Sequence, residues 1–81
     1  MRTETRMTLK GIRGVIGLVL DDPDYLDKLE KEYGALEESF RYIAAEEEDP
    51  EQYMELAIRL DYFRLLNQLF RFIRDMEDHY D

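Results

Sequence analysis

The chain has 81 residues, no cysteine and a formal net charge of −9, from 20 acidic and 11 basic residues. That length holds one domain at most, so residues 1–81 read as a single small unit whose core is marginal without a staple or a partner subunit. The missing cysteines remove disulfides and thiolate metal sites and favour a reducing, cytoplasmic setting.

The charge is unevenly spread. Residues 1–20 carry Arg2, Arg6, Lys10 and Arg13 against Glu4, a balance of +3, which leaves −12 for the remainder. So acidic a body argues against direct nucleic-acid binding, which needs a basic face, and against an anionic membrane surface. The longest apolar run, Val15 to Leu20, contains Gly17 and is far shorter than a membrane span. It also makes a poor signal peptide, because Asp21, Asp22 and Pro23 follow it where small residues would be needed.

Residues 2–10 alternate in polarity, the period of a strand, and a lone strand would have only a second copy to pair with. From Thr8 onward a helix fits better. Thr8 is a candidate N-cap, and Leu9, Ile12, Val15, Ile16, Val19 and Leu20 share a broad face. Gly11, Gly14 and Gly17 oppose it at about 1 kcal/mol each. The expectation is a short helix over 8–20, with 1–7 as flexible coil.

Asp22-Pro23-Asp24 and Asp49-Pro50-Glu51 are matching helix-start signals: an aspartate cap, a proline that loses no hydrogen bond at the first position, and an acid against the positive end of the dipole. The first predicts a helix over 23–46. Its seam is Leu26, Leu29, Tyr33, Leu36, Phe40 and Ile43, at alternating steps of three and four. Charged side chains fill the rest. Asp27, Glu30, Glu37 and Glu38, with Glu46, Glu47 and Glu48 at the helix end, make up an acidic face. Gly34 lies off the seam, and Tyr42 lies opposite it.

The second signal predicts a helix over 50–78, apolar over roughly 200° of arc in its middle turns, twice the usual width. One seam is Ile58, Tyr62, Leu65, Leu69, Phe72 and Met76. The other is Leu56, Leu60, Phe63, Asn67 and Phe70, with Leu66 and Ile73 between them. A single neighbour cannot cover both. The two-to-three-residue connection makes the long helices an antiparallel hairpin. One seam then meets the first helix, helix 8–20 covers part of the other, and a second copy covers the rest, giving a dimeric all-α bundle. Asn67, within a seam, is a residue type that fixes register and oligomer state at some cost in stability.

Catalytic chemistry has little to stand on. His79 is the one histidine, four residues from Asp75 near the chain end, and Ser39 is the one serine. The glycines form no phosphate loop, and the Glu46–Asp49 run has no calcium-loop spacing. No metal or cofactor is expected. The chain reads as a non-enzymatic interaction module: an adaptor, chaperone or inhibitor-like regulator, homo-oligomeric, with a further protein partner. The alternative is an acidic mimic of nucleic acid that blocks a DNA- or RNA-binding protein. More remote is a small helical enzyme with a site between chains, for which Arg59 and Arg74, near the edges of the apolar arc, are the candidate residues.

Overall fold

A computed structural model describes residues 1–80. These residues are all helical apart from the first two and two short turns: α1 is Thr3–Asp21, α2 is Tyr25–Glu46 and α3 is Pro50–Tyr80. There is no strand among them.

The start of α1 differs from the expected coil over 1–7. The helix begins at Thr3, and the Arg6 amide donates to the Arg2 carbonyl at 3.1 Å. Thr8 therefore sits inside the helix, where its hydroxyl donates to the Glu4 carbonyl at 2.9 Å instead of capping. The alternation over 2–10 is misleading because most of these side chains face water, so their polarity reports no packing. Glu4, in the first turn, suits the positive end of the helix dipole. The three glycines keep ordinary helical backbone, with no positive φ.

Both aspartate–proline signals act through their carboxylates. Asp22 Oδ1 accepts from the Asp24 amide and Asp49 Oδ1 from the Glu51 amide, each at 3.1 Å. The second starts its helix directly at Pro50, and the Tyr53 amide closes the first turn on the Asp49 carbonyl at 2.8 Å. The first starts its helix later than residue 23. Tyr25 and Leu26 donate three residues back, to Asp22 and Pro23, so a tight turn comes first and α2 proper begins at Tyr25.

α2 and α3 lie against each other through pairs whose residue numbers run in opposite directions. Tyr33 packs against Phe63 and Phe70, and Phe40 against Phe63, with ring centroids 5.1–5.9 Å apart in tilted or edge arrangements. α1 completes a small core. Val15 joins Leu26, Leu29, Leu66 and Phe70, with Ile12, Val19, Tyr25, Tyr33, Tyr62, Leu69 and Ile73 packed around them.

The α2 seam is only half covered. Leu26 and Leu29 are buried, but Leu36 and Ile43 are exposed and Ala44 is buried instead. The buried cluster that includes Val15 of α1 draws on the first turns of α2 alone, so the later apolar positions lack a third helix. Gly34 has open space where a side chain would be, which makes it a slack surface position.

Candidate interaction surface

The wide apolar arc of α3 divides three ways. Phe63, Asn67 and Phe70 meet α2, Leu60 is buried, and Tyr62, Leu66, Leu69 and Ile73 join the core that includes α1. Leu56 is half-buried, and the rest of the arc faces solvent. Met54, Ile58, Leu65, Phe72 and Met76 are 42–62% exposed, while Leu66, beside Leu65 in sequence, is completely buried. At 3.6 residues per turn these five lie within about 40° of arc, in one line along the helix with a two-turn step on either side of Leu65.

This division redraws the expected seam. Ile58, Leu65, Phe72 and Met76 are at the surface, but Tyr62 and Leu69 are half-buried against the core. Met54, one turn before Ile58, belongs to the stripe and was missed because it precedes the first full heptad step. Asn67 also moves. Its Nδ2 donates to the Tyr33 carbonyl at 3.1 Å and to Glu37 Oε1 at 2.8 Å, so its polar group is used between α2 and α3 of one chain.

The acidic face is not one face. Arg74 reaches across from α3 to Asp27 and Glu30, its Nε donating to Glu30 Oε1 at 2.6 Å. The hydrogen bond to Glu30 and then that to Asp27 raise the Arg74 guanidinium above its ordinary pKa. Glu37 accepts from Asn67 and lies 3.9 Å from Arg64. Glu47 Oε1 accepts from the Asp49 amide at 3.1 Å, which orders the turn into α3. Glu38 borders a shallow surface depression with Ala35, Ser39, Tyr42 and Ile43, and Glu46 and Glu48 are exposed.

The two candidate arginines part company. Arg74 is committed to α2, while Arg59 lines an open groove of about 320 Å³ between α1 and α3, with Met7, Thr8, Gly11, Ile58 and Tyr62. Burial, and after it the neighbouring Tyr33, push the Tyr62 phenol above its usual pKa. His79 packs edge-on against Tyr80, with centroids 4.9 Å apart. Among the described residues no three carboxylate or imidazole groups converge as metal ligands would, and no helix is long and apolar enough to cross a membrane.

Comparison with protein-family models, with curated proteins and with solved structures gives no match, so the surface must be interpreted from its own chemistry.

Proposed function

We propose that this chain is a small acidic protein–protein interaction module, an adaptor, chaperone or inhibitor-like regulator of the cytoplasm, that works without catalytic chemistry. It acts as a homo-oligomer, a dimer first of all. The observation that carries this reading is the uncovered stripe Met54, Ile58, Leu65, Phe72 and Met76 on α3.

Fully burying such side chains stabilises by about 1.5–3 kcal/mol each, so exposing five in a row forgoes a large part of what a core this small can supply. Single exposed apolar residues need no explanation, but five aligned along one helix face mark a contact surface. The acidic-mimic reading has less support, because Asp27, Glu30 and Glu37 face cations of α3 and present less negative charge outward.

The test is solution mass by light scattering across a hundredfold range of concentration, for the native chain and for Leu65→Asp. A dimer that Leu65→Asp converts to monomer supports the reading. A native chain that stays monomeric, and that binds no protein through this stripe, overturns it.

A further inference from the structure

The α3 stripe has a centre. Met54 and Met76 lie eleven residues to either side of Leu65, and Ile58 and Phe72 lie seven. Packing against α1 or α2 does not require that symmetry, since none of the five is buried by either. A two-fold axis does require it. An antiparallel copy of α3 crossing at Leu65 sets Leu65 on Leu65, Ile58 on Phe72 and Met54 on Met76 of the copy, the isologous pattern in which one patch serves both sides. The matched stripe is about 33 Å long at 1.5 Å per residue.

α1 supplies an independent charge argument. Met7 and Ile58 line one groove, and a side chain added at Gly11 would meet Tyr62 Oη at 3.2 Å. α1 therefore runs beside α3 in the same direction, with Gly14 at the level of Leu65. An axis through Leu65 also sets the two α1 helices in opposite directions. Their ends differ in sign: Arg2 and Arg6 outweigh Glu4 at the start, and Asp21, Asp22 and Asp24 stand at the end and in the turn that follows. Opposed copies bring the basic start of each α1 to the level of the acidic end of the other.

We propose that the occupant of the α3 stripe is a second copy of this chain, docked antiparallel about a two-fold axis through Leu65, with Arg2 and Arg6 of each copy meeting Asp21 and its neighbours in the other. This rests on the self-association reading above and adds its face, direction and register.

The chain has no cysteine, so one introduced cysteine reports a single contact. The full-length Leu65→Cys chain under mild oxidation, or with a short bis-maleimide, is expected to become mostly covalent dimer. Ile58→Cys alone should not cross-link, because its own copy lies about 21 Å away along the helix, far beyond disulfide reach. A mixture of Ile58→Cys and Phe72→Cys chains should cross-link to each other. Arg6→Glu is expected to weaken the dimer about tenfold, and adding Asp21→Arg to restore it; Asp22 is left intact because it closes the turn before α2.

A native dimer whose Leu65→Cys form does not cross-link overturns the face and register while leaving self-association standing. Self-cross-linking of Ile58→Cys overturns the antiparallel direction, and failure of Asp21→Arg to rescue Arg6→Glu overturns the charge pairing. A chain that is monomeric throughout overturns self-association itself.

Discussion

Leu65 and Leu66 are consecutive leucines on α3 with opposite surroundings, so truncating each to alanine gives a pair of opposite outcomes. Leu66 is fully buried among Val15, Leu26, Leu29 and Phe70, where all three helices meet. Leu66→Ala removes buried carbon and leaves a cavity that three separate helices cannot close together, a loss of about 2–5 kcal/mol. A chain of this length has roughly 4–12 kcal/mol of stability in total. The midpoint of thermal unfolding should therefore fall by roughly 10–30 °C. Leu65 is already half in water, and in a lone chain Leu65→Ala should cost under about 1 kcal/mol. Urea unfolding followed by far-UV circular dichroism measures both, at two concentrations a hundredfold apart. At the lower concentration the two variants should differ by at least about 1 kcal/mol. At the higher one the gap should narrow as loss of the dimer contact adds to the cost of Leu65→Ala. A Leu66→Ala chain that loses less than about 1 kcal/mol would refute the three-helix core, and equal costs at the lower concentration would refute the division of the arc.

Four smaller tests address the remaining joints. Arg74→Ala should destabilise the chain, by an amount that shrinks as salt rises, because both ion pairs to α2 are exposed and screened; urea unfolding with and without about 1 M salt measures this. Asn67→Ala should cost about 1–3 kcal/mol for two lost hydrogen bonds, and sizing chromatography should show no change in oligomer size, since those bonds lie within one chain. Gly34→Ala should stabilise by up to about 1 kcal/mol, and Gly11→Ala by less, because its new methyl meets Tyr62 Oη at 3.2 Å; paired thermal melts compare them. Tyr62 holds its proton more tightly folded than unfolded, so its contribution is intact below the ordinary phenol value of 10.0 and is lost as pH rises through the higher folded value; stability should decline across that window, and less steeply in Tyr62→Phe.

Much of the architecture was legible in the sequence because it is written in local chemistry. An aspartate before a proline offers its carboxylate to the free amides that follow: Asp49-Pro50 starts its helix at the position its residues indicate, while after Asp22-Pro23 a tight turn comes first. The width of the apolar arc on α3 correctly implied more than one neighbour, since it reflects angular position alone. Which part of the arc each neighbour takes was not legible. Tyr62 and Leu69 share a heptad seam with Leu65 and Phe72, yet the first pair lies against the core and the second faces water, because α1 reaches only one edge of the seam. Asn67 has the same difficulty: the sequence marks a polar residue in a seam, but only the fold shows its amide crossing to the Tyr33 carbonyl and Glu37. The early start of α1 at Thr3 was hidden because an exposed helix end with no side-chain cap leaves little pattern to detect.

On the proposed reading the α3 stripe is covered by another protein surface, first of all a second copy lying alongside. Small-angle X-ray scattering over a concentration series tests it most directly, because mass and length come from one curve. A single chain has a Cα radius of gyration of 14.5 Å and principal extents of 47 × 29 × 18 Å. Forward scattering is expected to double as copies pair while the longest dimension stays close to that of one chain, because the helices would lie side by side. A mass that never doubles and a radius that stays near the single-chain value would contradict it, and so would a doubled mass with the length nearly doubled, which would mean that the chains meet end to end and leave the stripe in water.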